Sequence, residues 1–129
     1  MSTVEAHAGS RIDEVLERVC RRLPHRPTAT ELPALGALGA LLVDIRPVEQ
    51  PTRDGELPGA VVVDRNVLEW RLDPTSPPRI PNVTGPDQPI VLVCNEGYAS
   101  SLAALSLQKL GLARATDLDG GFQGVLVSS

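Results

Sequence analysis

Cys94 is the residue whose position in this chain best suits chemistry. It follows an apolar, β-branched run at 89–93 and precedes a segment, 101–112, with leucines at helical spacing. A thiol between the end of a strand and the start of a helix lies beside unpaired backbone N–H groups and the positive end of the helix dipole. Both favour the thiolate, which is the reactive form of cysteine. The pattern therefore predicts an anion-binding nucleophile.

The residues that follow Cys94 form the predicted anion-binding loop. We expect backbone N–H groups of this loop to surround a negatively charged sulfur, because fixed dipoles stabilise charge without reorganising. Gly97 suits a positive φ or a close backbone approach, and Ser100 adds a hydroxyl or caps the next helix. The expected substrate-binding residues are Asn95, Glu96, Gly97, Tyr98, Ala99 and Ser100.

Other chemistries find less support in the sequence. Cys20 lies beside the apolar stripe of a predicted helix, so we expect an inert, partly buried thiol. His7 and His25 lie near the N-terminus, which gives a Cys–His protease pair little support. The two cysteines and two histidines lack zinc-ligand spacing, and no GxxxxGK phosphate loop occurs. We therefore expect neither a metal nor a cofactor.

The elements that must position Cys94 alternate between helices and strands. An amphipathic helix is predicted at 11–23, with Ser10 and Asp13 as its capping pair. Val67 and Trp70, with Leu68 as a further candidate, are expected to face inward from helical turns at 66–72. Further predicted elements are a short helix ending near 38, strands at 41–45, 60–63, 89–93 and 115–118, and a surface loop at 73–88. This order indicates an α/β fold with a mainly parallel sheet, whose ligands bind beyond the carboxyl ends of the strands.

Size and charge narrow the function further. A chain of 129 residues is expected to form one domain. The net charge of -4 and the single lysine argue against nucleic acid as a partner. No secretion signal or run of eighteen apolar residues is present, so we expect a soluble, cytoplasmic protein with no membrane partner.

Four separated motifs resemble the rhodanese-like sulfurtransferases. They are LVDIR at 42–46, GELPGA at 55–60, CNEGYAS at 94–100 and DLDGGF at 117–122. The resemblance implies a five-stranded, mainly parallel sheet flanked by helices on both faces. It also implies a division into an N-terminal tail and amphipathic helix at 1–27 and a rhodanese-like domain at 28–129.

The resemblance implies sulfur transfer as the reaction. Cys94 would take the outer sulfur from a small donor, thiosulfate or a persulfide, become a persulfide, and pass that sulfur to cyanide or a thiol. A protein acceptor would be of unknown identity. Asp44 is expected to be structural, while Arg46 and Arg65 are candidates for charge support.

Departures from the family pattern leave two alternatives open. The loop has no arginine or lysine and carries Glu96, which makes a dianionic donor less favourable and suggests a non-catalytic binding or regulatory module. A cysteine-loop phosphatase would need arginine six places after the cysteine, where Ser100 stands. The family's final helix, which usually carries a tryptophan, is expected to be missing or altered after Phe122.

Overall fold

The computed structural model describes residues 9–128 of the chain; His7 and Ser129 lie outside the described residues. Within this range, helices and strands alternate as the sequence predicts. The helices are α1 (Arg11–Arg22), α2 (Leu32–Ala37), α3 (Glu49–Asp54), α4 (Leu68–Leu72), α5 (Ala99–Gln108) and α6 (Gly121–Ser128). The strands are β1 (Leu41–Asp44), β2 (Val61–Val62), β3 (Ile90–Val93) and β4 (Ala115–Asp117). Single 3-10 turns, Ala29–Glu31 and Arg65–Val67, lead into α2 and α4.

The strands form one parallel sheet in the order β2-β1-β3-β4. The register pairs Leu41 with Ile90 and Ile90 with Ala115. All strands therefore end at the same edge of the sheet, where Cys94 follows β3. The predicted α/β class is confirmed, but residues 9–128 contain four strands rather than five. The proline-rich loop after α4 supplies no additional strand, because proline lacks the N–H that a sheet requires.

Helices cover both faces of this sheet, as a parallel sheet requires. Alternate strand residues point to opposite faces, so Val43 and Leu92 belong to one core cluster while Val91 and Val93 belong to the other. The first cluster includes side chains of α1, α4 and α5, and the second includes side chains of α2 and α6. Cys94 continues the alternation and faces the first cluster.

Helix α1 forms as predicted and packs against α5. The Ser10 side chain accepts a hydrogen bond from the backbone N–H of Asp13 at 3.1 Å, which satisfies one of the free donors of the first turn. Val19 is the buried residue of its apolar stripe. The small residues Ala103 and Ala104 of α5 are fully buried in the same core cluster.

The predicted inward orientation in the fourth helix is wrong for Val67 and Trp70 but right for Leu68. Val67 and Trp70 are 43% and 59% exposed, whereas Leu68 and Leu72 are fully buried. Leu68 and Leu72 are four positions apart and share the inner face of α4, whereas Trp70 lies two positions from each and projects from the opposite side.

The final helix, expected to be missing or altered, is present in an altered form. Residues Gly121–Ser128 form α6, and Phe122 is buried against the sheet, although the helix carries no tryptophan.

Helix α3 was not predicted because none of its residues is buried, so it has no apolar stripe. Within the described residues, no helix has the length and apolar character needed to cross a membrane.

Candidate active site

Cys94 lies one residue beyond β3, in a loop that curls back over its own sulfur. The backbone N–H groups of Gly97 and Ser100 donate to Sγ at 3.1 and 3.4 Å. The Ser100 hydroxyl lies 3.1 Å from the same sulfur. Only 7% of Cys94 is exposed and its side chain belongs to the first core cluster, but two backbone N–H donors also reach its sulfur. Such donors stabilise a negatively charged sulfur.

Helix α6 holds the opposite side of this loop. The N–H groups of Phe122 and Gln123 donate to the carbonyl oxygens of Cys94 and Asn95 at 2.8 and 3.0 Å. These bonds engage the first two carbonyls of the loop, while two of its amides point at the sulfur. The first turn of α6 therefore helps to set which backbone groups face the thiol.

Two glycines make this close approach between loop and helix possible. Gly97 has φ +89°, and a Cβ there would lie 3.0 Å from the backbone nitrogen of Gly120. Gly121 has φ +60°, and a Cβ there would lie 2.6 Å from the carbonyl oxygens of both Cys94 and Asn95. A side chain at either position would be strained and would push the two segments apart.

A buried polar chain extends from the sulfur through Ser100. The Ser100 hydroxyl donates to Oδ2 of Asp117 at 2.6 Å, and both side chains are buried. Arg26 holds the other side of Asp117, with Nε at 2.7 Å from Oδ1 and Nη2 at 3.2 Å from Oδ2. Arg26 Nη2 also donates to the carbonyl of Gly97 at 3.1 Å. One guanidinium thus ties the loop to β4.

Burial by itself would lower the pKa of Arg26. The hydrogen bond and the attraction to Asp117 outweigh this effect, so the pKa of Arg26 is raised. The guanidinium therefore stays charged and keeps the buried carboxylate paired.

The remaining loop residues differ in exposure. Glu96, Tyr98 and Ala99 are exposed, and Asn95 is half-buried. The Asn95 side-chain oxygen accepts from the Gln123 amide at 2.9 Å, which adds a further link between the loop and α6. The expected binding residues thus lie together in the loop and the first turn of α5, with the side chain of Ser100 beside the sulfur.

Asp44 and Arg46 form a buried ion pair at the end of β1. Arg46 Nη2 lies 2.8 Å from Asp44 Oδ2, and the same nitrogen donates to the carbonyl of Gly55 at 3.0 Å. The guanidinium also stacks 3.7 Å from the centre of the Phe122 ring. These contacts link β1, the end of α3 and α6 beneath the loop, as the structural role expected for Asp44 requires. Arg46 is buried and its bonds go to that framework.

Arg65 makes its described contacts away from the cysteine loop. Its guanidinium donates to both carboxylate oxygens of Glu69 at 3.0 Å, and Glu69 also accepts from Ser106. The structure therefore brings Arg26, not Arg65, to the residues around Cys94.

A groove of about 430 Å³ runs between α1 and the outer side of the loop. Its lining includes Leu16 and Cys20 from the helix and Gly97 and Tyr98 from the loop. Burial raises the pKa of the Cys20 thiol, although nearby Arg26 opposes the shift. The raised pKa makes Cys20 a weakly ionised thiol, in line with the inert, partly buried thiol expected at this position. Among the described residues, no cluster of side chains suits a metal ion.

Sequence reasoning did not identify Arg26 or Asp117 as site residues. Arg26 lies 91 positions from its partner and falls in the segment assigned to an N-terminal tail. Asp117 occupies a buried position in a short strand, where a carboxylate needs a partner. The need of a buried carboxylate for a partner was the one indication in the sequence that Asp117 forms an ion pair at the site.

Comparison with known proteins gives a consistent family assignment. The family model of the Rhodanese-like domain matches residues 28–127. A solved structure from Rhodopseudomonas palustris, named a possible tyrosine phosphatase of unknown function, is 31% identical with a TM-score of 0.81, and the match covers 93% of this chain and 92% of that one.

Two further solved structures share the fold. A rhodanese homolog from Thermus thermophilus is 32% identical with a TM-score of 0.54, covering 78% of this chain and 99% of that one. The human single-domain sulfurtransferase is 24% identical with a TM-score of 0.68, covering 81% and 96%. No curated protein matches the chain.

Proposed function

This chain belongs to the rhodanese-like domain family, and from that premise we propose that it is a sulfurtransferase with Cys94 as its nucleophile. The observation that supports this most is the convergence of the Gly97 and Ser100 amides on Sγ. Donors aimed at a sulfur at the carboxyl edge of a parallel sheet stabilise charge on that sulfur and on an anion bound to it.

The reaction proceeds in two displacements at sulfur. The Cys94 thiolate attacks the outer sulfur of the donor and forms a new S–S bond. The bond between that sulfur and the rest of the donor breaks, and its electron pair leaves with the donor as sulfite or a thiolate. A thiolate or cyanide acceptor then attacks the outer sulfur of the persulfide and releases the Cys94 thiolate.

The charge of the loop favours a persulfide over thiosulfate as donor. Residues 94–100 contain no arginine or lysine, and Glu96 is exposed among them. Arg46 is committed to Asp44, and Arg65 is committed to Glu69. Arg26, which bonds to the loop at the Gly97 carbonyl, is paired with Asp117. A dianion would therefore depend mainly on the backbone dipoles of the loop and would meet repulsion from Glu96.

The test is transfer measured with a panel of sulfane donors and with cyanide or a small thiol as acceptor. We expect turnover that Cys94→Ser abolishes and that Cys20→Ser retains, since Cys20 lies in α1 and has a raised pKa. Retention of turnover by Cys94→Ser would contradict the proposed nucleophile.

A phosphatase is the second candidate, because one similar structure is named a possible tyrosine phosphatase. The place for the required guanidinium holds Ser100, whose buried hydroxyl is bonded to Asp117. We expect no hydrolysis of p-nitrophenyl phosphate above that of Cys94→Ser. Hydrolysis that depends on Cys94, without sulfur transfer, would favour this second candidate.

A non-catalytic module is the remaining alternative, suggested by Glu96 and the absence of loop cations. It predicts a Cys94 thiol that reacts with alkylating agents no faster than a free thiol in solution. Faster alkylation of Cys94 would support the enzyme.

A further inference from the structure

We propose that Asp117 is a positioning residue that orients the Ser100 hydroxyl and thereby restrains ionisation of Cys94. Because the same cysteine is the nucleophile of the proposed function, the inference deepens that function. Ionisation of the thiol is measurable without any sulfur donor, so the two proposals succeed or fail separately.

The Ser100 hydroxyl has one proton for two neighbours. Its oxygen lies 3.1 Å from Sγ of Cys94 and 2.6 Å from Oδ2 of Asp117. The carboxylate is the stronger acceptor, and 2.6 Å is the length of a charge-assisted O–H···O⁻ bond. Ser100 is fully buried, so water does not supply a substitute partner. The hydroxyl proton therefore lies toward Asp117, and a lone pair of the oxygen faces the sulfur.

This orientation suits a thiol and opposes a thiolate. A neutral Cys94 donates its S–H to the Ser100 oxygen. A thiolate at the same place faces that lone pair, with the carboxylate behind it. The two amides on Sγ favour the thiolate, whereas the Ser100 oxygen favours the neutral thiol, so these groups act on Cys94 in opposite directions. When Cys94 ionises, its proton passes to solvent and the hydroxyl must turn from Asp117 toward the sulfur.

Asp117 does not serve as the base that accepts the thiol proton. A relay would move the S–H proton to the Ser100 oxygen and the hydroxyl proton to Asp117. That transfer is unfavourable, because a carboxylic acid is a much stronger acid than a thiol. Arg26 makes it less favourable still, because its guanidinium bonds to both carboxylate oxygens and favours the charged carboxylate. The geometry thus assigns Asp117 to orientation rather than to proton transfer.

Other charged and titratable groups surround the loop and contribute to its field. They remain in place in each variant below and are common to all of them. From the loop and the elements packed around it they are Asp13, Glu17, Cys20, Arg21, Asp44, Arg46, Asp54, Glu96, Tyr98 and Asp119.

The test compares Asp117→Asn with Arg26→Gln. Each substitution breaks the same buried ion pair, but the expected effects on Cys94 have opposite signs. Asp117→Asn removes the negative charge and frees the Ser100 hydroxyl to donate to sulfur, so the midpoint of thiolate formation should fall by about one pH unit, a tenfold change. Arg26→Gln leaves the carboxylate unneutralised, so the midpoint should rise.

The readout is the pH dependence of Cys94 alkylation, followed on the Cys94 peptide by mass spectrometry in the full chain. Simple disruption of the loop would move both variants in the same direction and would overturn the proposal. A higher midpoint in Asp117→Asn would also overturn it, since that result identifies Asp117 as a base.

A double-mutant cycle shows whether Asp117 acts through Ser100. In a Ser100→Ala background, Asp117→Asn should shift the midpoint by less than half its effect in the parent chain. An equal shift in both backgrounds would show a charge acting directly on sulfur and would contradict the positioning role.

Discussion

Replacing Gly121 with alanine should destabilise the protein and slow sulfur transfer, because this glycine lies against the backbone of the cysteine loop. A Cβ at position 121 would be 2.6 Å from the carbonyl oxygens of Cys94 and Asn95, whereas ordinary contacts begin at 3.4 Å. The two segments must therefore separate by about 0.8 Å, the difference between these distances. That separation weakens the bond between Phe122 N–H and the Cys94 carbonyl.

The expected cost has two parts. A left-handed backbone costs an alanine about 1–2 kcal/mol relative to glycine, and φ at Gly121 is +60°. Overpacking against backbone adds about 1–3 kcal/mol. The free energy of unfolding should therefore fall by about 2–5 kcal/mol, a large part of the 5–15 kcal/mol typical of a domain.

Two neighbouring glycines provide matched controls. At Gly120, with φ +84°, the nearest atom to an added Cβ is 3.7 Å away, so alanine pays only the conformational cost of about 1–2 kcal/mol. At Gly124, inside α6, the nearest atom is 3.8 Å away and alanine should stabilise by up to about 1 kcal/mol.

Urea unfolding of the three variants gives the comparison, and the donor-to-acceptor assay gives the rate. Gly121→Ala should be the least stable and the slowest. Equal stability of Gly121→Ala and Gly120→Ala would refute the close approach between α6 and the loop.

Three other predictions concern charge and ionisation. Glu96→Gln should raise transfer from thiosulfate by about twofold to fivefold, with a smaller gain in high salt; unchanged kinetics would show that this carboxylate does not face the donor. Iodoacetamide should modify Cys20 more slowly than Cys94 at pH 7, because burial raises the pKa of Cys20; peptide mapping checks the order. Burial acts to raise the pKa of Glu69, but the Ser106 hydroxyl and other hydrogen bonds lower it below 4.5. The resulting stability is present above about pH 4.5 and is lost as the pH falls through the lowered pKa of Glu69 in the folded protein. The loss of unfolding free energy caused by Ser106→Ala, measured in urea, should therefore shrink in acid. A loss that stays the same at every pH would contradict this.

The central part of the fold was predictable because its signals are local. Apolar β-branched runs gave β1 and β3, and the end of β3 fixed where Cys94 would lie. The glycine and the helix start after Cys94 indicated a loop that presents backbone amides, and the structure places those of Gly97 and Ser100 on the sulfur.

The remaining features depend on contacts that sequence spacing does not encode. The pairing of Arg26 with Asp117 joins two polar residues far apart in the chain, and neither has a local pattern. The exposure of Trp70 follows from the packing of Leu68 and Leu72 against the core, which turns the opposite side of α4 outward. Helix α3 has no buried residue and thus no hydrophobic period.

The division of the chain into a tail at 1–27 and a domain at 28–129 stays a prediction. Helix α1 packs on α5, and Arg26 bonds to Asp117 and to the Gly97 carbonyl. These contacts connect the predicted tail to α5, to the cysteine loop and to β4.

Peptide mass spectrometry after treatment with a sulfane donor tests the proposed nucleophile most directly. The account predicts one added sulfur atom on the Cys94 peptide, removed by a thiol reductant and absent from Cys94→Ser. A Cys94 peptide that gains no sulfur from thiosulfate or from any persulfide donor, in a protein that is folded, would contradict it.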